Sequence, residues 1–117
     1  MDAETTRKLF GLLGLGLRGR GAIVGVEQVR ESARRGKLVM AIAAPDASSN
    51  SLNKVLPLLR ARAIPVFAAP SAKELGKAVG RDTTTVVGIV DRGLAKGIRA
   101  LSLSAMPEGR EEGEELG

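Results

Sequence analysis

Three glycines near the start of the chain have the spacing of a loop that binds phosphate groups. Gly14, Gly16 and Gly19 satisfy the pattern G-x-G-x-x-G, in which backbone amides approach the pyrophosphate of a dinucleotide. That chemistry requires the loop to connect a strand to a helix N-terminus, with an acid about 20 residues further on to hold a ribose. A leucine-rich segment with helical spacing precedes these glycines instead, and the acid is absent. We therefore interpret the segment as a helix that ends in a basic turn. Nucleotide binding through these glycines is kept as an alternative hypothesis.

The carboxylates do not form an arrangement that is typical of an enzyme. Glu27 and Glu31 share one helical face and could hold a metal ion, but basic residues are interleaved with them, which is typical of a solvated helix surface. Helix caps and turns account for three further acids: Asp46, Glu74 and Asp91. The chain has no cysteine and no histidine, which excludes disulfides, thiolate or imidazole zinc sites and Ser-His-Asp triads. We therefore expect no enzymatic activity, no metal and no cofactor.

Positive charge is concentrated before the last ten residues. The formal net charge is +5, from 18 bases and 13 acids, but residues 108–117 hold five glutamates and one arginine. Without them 17 bases face 8 acids, so residues 1–107 carry +9. Such a balance attracts polyanions, nucleic acid first, although a charged surface is also typical of small soluble proteins. The densest group of bases surrounds one predicted strand and the helix after it: Arg18, Arg20, Arg30, Arg34, Arg35 and Lys37.

The aromatic content narrows the kind of nucleic-acid contact. There is no Trp or Tyr, and Phe10 and Phe67 are expected in the core. This argues against modules that stack bases on an aromatic platform. The remaining contacts are those of Arg and Lys side chains, and of amides at helix N-termini, with phosphates.

The sequence also bears on localisation. The N-terminus is polar and begins with acids, unlike a signal peptide. No apolar run approaches the ~20 residues that span a bilayer. We therefore expect a cytoplasmic protein with no membrane partner.

Hydrophobic spacing predicts helices that alternate with strands. Val86–Val90 is a short apolar run that ends at Asp91, an N-cap for a helix with Leu94, Ile98 and Leu101 on one face. Seven elements are predicted before this run. They are a helix around Leu9–Leu17 capped by Thr5 or Thr6, a strand at Ala22–Val24, a helix over Glu27–Arg35, a strand at Leu38–Ala43, a helix around Leu52–Leu59, a strand at Pro65–Ala68 and a helix that Gly80 closes. The residues Ser71-Ala72-Lys73-Glu74 form a capping box, which makes Ser71 the predicted N-cap of this last helix. Pro57 is expected to kink or divide its helix.

This alternation predicts an α/β fold. Strands and helices at this spacing are typical of a three-layer α/β/α sandwich, here with a four-stranded sheet that is mixed or mostly parallel. We expect a single domain over residues 1–107. The segment 108–117, rich in Glu and Gly, is expected to be a disordered acidic tail.

Three segments together resemble a known family. They are FGLLGLGLRGRGAIVGVEQVRESARRGKLVMAIAAPDAS, IPVFAAPSAKELGKAVG and VVGIVDRGLAKGI, in that order. Their order and spacing are similar to the kink-turn RNA-binding ribosomal-protein superfamily of the L7Ae type, most closely its bacterial YlxQ-like branch, over about residues 8–101. The resemblance implies the same α/β/α sandwich. It also implies a non-enzymatic protein that binds kinked or bulged RNA in association with ribosomes or translation.

The first RNA contact implied by the resemblance follows the first strand. Archaeal members carry Gly-x-Asn-Glu-x-x-Lys there, and the matching positions are Gly25, Glu27, Gln28 and Glu31. Gln28 keeps a carbonyl acceptor and adds an amide donor, so a hydrogen bond to a base edge can be retained. Glu27 lacks the amide donors of asparagine. Glu31 places an anion where the family has a cation, which weakens phosphate binding.

The second implied contact is the loop before the last strand. In the family this loop presents small or apolar residues to an extruded nucleotide. It matches Arg81, Asp82, Thr83, Thr84 and Thr85. The three threonines offer methyl and hydroxyl groups suited to this task, although β-branched residues are equally typical of the start of a strand.

Two leading hypotheses of different class follow. In the first, the protein binds structured RNA, with ribosome-associated proteins as a second class of partner. Its contacts would be Arg18, Arg20, Arg30 and Lys37 on phosphates, Gln28 on a base edge beside Gly25 and Glu27, and the loop of Arg81, Thr83, Thr84 and Thr85 on a flipped nucleotide. In the second, the chain is a protein-interaction module that keeps the fold and has lost the RNA contact at Glu27 and Glu31.

Overall fold

A computed structural model describes residues 1–107 of the protein. The acidic segment 108–117, for which the sequence predicts disorder, lies outside the described residues. In these 107 residues, five helices alternate with four strands: α1 (Ala3–Arg18), β1 (Ala22–Val24), α2 (Val26–Arg34), β2 (Met40–Ala43), α3 (Ser49–Ala61), β3 (Val66–Ala68), α4 (Ala72–Ala78), β4 (Val86–Ile89) and α5 (Arg92–Arg99). Within the described residues, no helix is both long and apolar enough to span a membrane.

The sheet is mixed, with the strand order β1-β4-β2-β3. β4 runs antiparallel to both β1 and β2, whereas β2 and β3 are parallel. Because β4 lies between β1 and β2 and is antiparallel to both, each end of the sheet contains the end of some strands and the start of others. At the first end, β1, β2 and β3 finish and β4 begins; at the second end, β1, β2 and β3 begin and β4 finishes. The prediction of a mixed four-stranded sheet is confirmed.

Helices cover both faces of the sheet. Side chains alternate along β2, so that Met40 and Ile42 pack in one core cluster and Ala41 and Ala43 in another. The first cluster is completed by α1, α4 and α5 through Leu9, Leu13, Leu75, Val79, Ala95 and Ile98. The second is completed by α2 and α3 through Val29, Ala33, Val55, Leu56 and Leu59. This arrangement is the predicted three-layer α/β/α sandwich.

The N-terminal helix begins earlier than predicted. Asp2 is its N-cap, because the carboxylate accepts the Thr5 N–H at 2.7 Å, so the expectation of Thr5 or Thr6 as the cap is wrong. That hydrogen bond lowers the pKa of the Asp2 carboxyl below its ordinary value. Further along α1, Gly16 is buried against Leu94 of α5, and a Cβ at this position would collide with the leucine side chain.

Proline does not divide the third helix. α3 is one element from Ser49 to Ala61 with Pro57 inside it. The cost of the lost backbone hydrogen bond is met by tertiary packing, since Val55, Leu56 and Leu59 are all buried. Pro57 itself lies on the exposed side of the helix. Of the two expected effects of Pro57, a divided helix is therefore wrong, and a kink stays a prediction.

Candidate nucleic-acid interface

The junction between β1 and α2 lies at the first end of the sheet. Gly25 is the N-cap of α2 and has φ +102°, a left-handed conformation that favours glycine. Its N–H donates to Val86 O at 3.0 Å, which fixes the junction to the start of β4. No side chain among the described residues caps α2 at Gly25, so the first-turn amides lack the cap that a Ser or Asp would provide. Glu27 and Gln28 follow in this first turn, and both are exposed.

The loop between α4 and β4 lies beside this junction. Backbone hydrogen bonds hold the loop on two sides: the Thr84 N–H donates to Ala72 O at 3.0 Å, and the Ala44 N–H donates to Thr85 O at 2.9 Å. The loop is therefore joined to the start of α4 and to the end of β2. Together with the Gly25 bond to β4, these backbone hydrogen bonds join the Gly25 junction, the loop, the start of α4 and the end of β2 at the first end.

A glycine inside α4 supports the same loop. A Cβ on Gly76 would lie 2.7 Å from Thr83 Cα and 2.9 Å from Arg81 O, both backbone atoms of the loop. The Arg81 N–H also donates to Gly76 O at 2.8 Å. Because only a hydrogen atom fits between helix and loop, Gly76 sets the position of residues 81–83. The sequence carries no local signal for this role, since it depends on a contact between two elements.

A carboxylate from the connection between β2 and α3 holds the start of α4, to which the loop is hydrogen-bonded. Asp46, between β2 and α3, accepts the Ala72 N–H at 2.7 Å, and Ser71 Oγ accepts the Glu74 N–H at 3.1 Å in the same helical turn. The predicted cap of this helix by Ser71 is confirmed. The sequence predicts only a turn at Asp46, because the hydrogen-bond partner of its carboxylate lies 26 residues away.

The loop residues differ in what they offer a ligand. Arg81 and Thr83 are exposed and Thr85 is half-buried. Thr84 is only 6% exposed, so its side chain contributes to the packing of the loop and not to its surface. The surface available to a ligand is formed by the exposed Arg81, Asp82 and Thr83, with part of Thr85.

Charges on α2 are already partly engaged. Glu31 lies 4.0 Å from Arg35 in an exposed i, i+4 pair, an interaction that typically stabilises a helix by about 0.3–0.5 kcal/mol. The predicted anion at this position is thus accompanied by a cation one turn away. Arg30 is half-buried, and its Nη1 donates to Lys54 O of α3. Arg30 therefore joins the two helices of its layer, and part of its guanidinium is occupied.

The remaining cations of the predicted site lie elsewhere. Arg20 and Lys37 precede β1 and β2, and Arg18 ends α1, so all three belong to the second end of the sheet. The four residues of β4 separate the two ends by about 13 Å. Because Arg18, Arg20 and Lys37 lie near β1 and α2 in the sequence, they were expected to form a single basic region with the cations of α2. The structure divides it, because a strand carries the chain from one end of the sheet to the other.

The glycine pattern at residues 14–19 does not form a nucleotide loop. Gly14 and Gly16 lie inside α1, and Gly19 is its C-cap, so the segment ends a helix where the pattern requires one to begin. Among residues 1–107, no group of three His, Cys, Asp or Glu side chains is placed to hold a metal ion.

Comparisons with known proteins agree with this architecture. The RNA-binding protein YlxQ of Bacillus subtilis (strain 168) is 30% identical over 92 residues, which cover 79% of this chain and 92% of that protein. A solved structure of a protein with unknown function from Bacillus halodurans C has a TM-score of 0.71 and 31% identity, over 80% of this chain and 94% of that chain. The Giardia lamblia 15.5kD RNA binding protein has a TM-score of 0.70 at 22% identity, over 86% of both chains, and shows a shared fold.

A family model also matches most of the chain. It describes the ribosomal protein L7Ae/L30e/S12e/Gadd45 family and matches residues 7–98, from α1 to the last turn of α5. The match includes both elements of the first end, the Gly25 junction and the loop of residues 81–85. The chain therefore belongs to the ribosomal protein L7Ae/L30e/S12e/Gadd45 family.

Proposed function

We propose that the protein binds structured RNA at the first end of its sheet and recognises a kink or bulge there. The observation that carries this proposal is the contact of the Gly25 junction with β4, which sets an uncapped helix N-terminus beside the loop of residues 81–85. The uncapped N-terminus of α2 can attract a phosphate, and the loop of residues 81–85 can receive a nucleotide. The related YlxQ protein is named as an RNA-binding protein, which supports RNA as the ligand.

The helix N-terminus supplies the phosphate contact. First-turn amides of α2 point out of the helix, and the helix dipole favours an anion at this end. The net charge of +9 on residues 1–107 raises the local concentration of RNA. Gln28, exposed in the first turn, can accept and donate hydrogen bonds at once, as a base edge requires.

The loop supplies the second contact. Sequence-specific RNA recognition usually targets bases that are splayed out of a helix, because the deep groove of duplex RNA is closed to side chains. The exposed Thr83 offers a methyl group and a hydroxyl to such a base, and Arg81 can stack on it or bind its phosphate. The backbone contacts with α4 and β2 hold this surface ready before the RNA arrives.

This function is binding without catalysis. The two contacts position an RNA, and no step of bond making or breaking is assigned to them. Membership of a ribosomal-protein family supports an RNA of the ribosome or translation apparatus as the ligand, and a cytoplasmic location.

A protein-interaction module is the second candidate function. It is favoured by Glu27, an exposed anion in the turn that would meet phosphate, and by the engagement of Arg30 with Lys54. In that case the first end would bind a polypeptide and would show no preference for kinked RNA.

Titration of labelled RNAs separates the two. A kinked RNA and a fully paired RNA of equal length are titrated at two salt concentrations with the full chain, with Gln28→Ala and with Asn53→Ala. Asn53 is the matched control, since it is an exposed amide on α3. We expect the wild type to prefer the kinked RNA, and Gln28→Ala to weaken that binding about tenfold, or about 1.4 kcal/mol. Equal binding of both RNAs by the wild type would overturn the proposal.

A further inference from the structure

A basic pocket lies at the second end of the sheet, away from the proposed RNA contact. It has a volume of about 570 Å³, and its lining includes Lys37, Arg62 and Arg92 together with Leu38, Ile64 and Val90. All three cations are exposed. The proposed function assigns no role to this pocket.

Three separate parts of the chain bring the cations together. Lys37 follows Gly36, whose φ of +71° turns the chain after α2. Arg62 is the C-cap of α3, directly before Ala63, which has φ +56°. Arg92 is the first residue of α5. The convergence is therefore a product of the fold and not of a local run of basic residues.

These cations have no anionic partner within the described residues. The ion pairs found there within 4.0 Å join Lys8 to Glu4 and Arg35 to Glu31, so they do not include the pocket. The acid closest in sequence, Asp91, directs its carboxylate to the Leu94 N–H at 2.7 Å as the cap of α5. Three like charges around one cavity repel each other, and an anion bound there would relieve that repulsion.

A fourth cation extends the pocket into a row. The Val90 N–H donates to Gly21 O at 2.9 Å, so Arg20 lies next to the end of β4. One cation then belongs to each strand in the order of the sheet: Arg20 beside β1, Arg92 beside β4, Lys37 beside β2 and Arg62 beside β3. At about 4.8 Å between neighbouring strands, the four strands to which these cations belong span about 15 Å, which exceeds a single phosphate and suits a polyanion.

We propose that the second end of the sheet binds the phosphate backbone of an RNA stem that continues from the kink. This inference rests on the proposed function, which places the kink at the first end about 13 Å away. The stem would be held by charge and by the forked donors of the two arginines, without reading its sequence. The protein would therefore contact its RNA at both ends of one sheet.

The test compares two neutralised variants of the full chain. The first carries Lys37→Gln, Arg62→Gln and Arg92→Gln. The control carries Arg7→Gln, Lys77→Gln and Lys96→Gln, which remove the same charge from exposed positions on α1, α4 and α5. Both are titrated from 50 to 200 mM salt with a kinked RNA that has a stem of about 16 base pairs, a length that a double-stranded-RNA-binding domain spans, and with the same RNA shortened to the kink.

We expect the pocket variant to weaken binding of the long RNA at least tenfold at low salt. Loss of three phosphate contacts lowers the salt slope by about 2.7, so the change in Kd from 50 to 200 mM shrinks about 40-fold. The control variant and the shortened RNA should show much smaller changes. Lys37→Arg with Arg62→Lys and Arg92→Lys, which keeps the charge, should restore most of the slope.

Equal effects of the two triple variants would overturn the inference, since they would reflect net charge alone. An unchanged salt slope of the pocket variant on the long RNA would overturn it as well. Failure of the proposed function gives a different result, because the wild type would then bind kinked and fully paired RNA equally. The ratio of the affinities for kinked and fully paired RNA tests binding at the first end, and the salt slope on the long RNA tests binding at the second end.

Discussion

Substitution of one buried glycine should displace the loop that receives the nucleotide. Gly76 lies in α4 against residues 81–83, and in Gly76→Ala the new Cβ would be 2.7 Å from Thr83 Cα. The next nearest atoms to that Cβ, both at 2.9 Å, are Arg81 O and Thr83 C. All three belong to the backbone, so rotation of a side chain cannot relieve the overlap. Either the loop moves away from α4 or the helix moves away from the core.

The magnitude follows from the same distances. Ordinary van der Waals contact begins near 3.4 Å, so the loop must move by about 0.7 Å. Overpacking of this kind costs about 1–3 kcal/mol, whereas alanine is favoured over glycine in a helix by about 1 kcal/mol. The free energy of unfolding should therefore change by about 0 to −2 kcal/mol. Because the shift acts on Arg81 and Thr83, the affinity for kinked RNA should fall about tenfold, which corresponds to one lost base contact.

A second glycine provides the matched control for Gly76→Ala. Gly11 lies on the exposed side of α1, and a Cβ there would meet no atom within 4 Å apart from the neighbouring backbone of its own helix. Gly11→Ala should therefore raise the free energy of unfolding by up to about 1 kcal/mol without affecting RNA binding. Urea unfolding and titration with kinked RNA measure both quantities. If Gly76→Ala is stabilised as much as Gly11→Ala and binds RNA as the wild type does, the packing derived for the loop is refuted.

Three further predictions concern stability. Ser32 is 9% exposed and its Oγ has no hydrogen-bond partner among the described residues, so Ser32→Ala should raise the free energy of unfolding in urea by about 1 kcal/mol. Ser48→Ala removes the cap of α3 and should lower the free energy of unfolding by a similar amount. A loss of stability in both variants would contradict the unpaired state of the Ser32 hydroxyl. The Asp2 carboxyl has a lowered pKa, so its stabilisation should be present above the ordinary value of 3.8 and disappear as the pH falls through the folded value. Unfolding of Asp2→Asn should lack this component, and identical pH profiles for the two proteins would show that the cap is absent in solution.

The fold was predictable because its signals are local. The apolar run before Asp91, the capping box at Ser71 and the alternation of helix and strand spacing each act within a few residues. Strand order is a different matter. The position of β4 between β1 and β2 depends on packing across the whole domain, which left a mixed and a mostly parallel sheet open. The continuous helix at Pro57 is also not predictable from local sequence, since the packing of buried neighbours outweighs the tendency of proline to interrupt a helix.

The candidate site was predictable only in part. Gly25 carries a sequence signal, because glycine before a helix with no other cap is consistent with a left-handed conformation. The roles of Asp46 and Gly76 depend on contacts with distant segments, and the cations Arg62 and Arg92 join Lys37 only through the fold. Proximity in sequence was misleading for Arg20 and Lys37, because a short strand moves the chain from one end of the sheet to the other.

The location of the kinked RNA can be measured directly by site-specific crosslinking. The chain contains no cysteine, so Thr83→Cys introduces a unique thiol for a photoreactive probe at the first end, and Leu15→Cys, at a side chain that is 59% exposed on α1, provides the control. We expect the probe at residue 83 to crosslink to the extruded nucleotide of the kink, and the probe at residue 15 to give little product. Equal crosslinking from both positions, or crosslinks spread evenly along the RNA, would contradict recognition at the first end of the sheet.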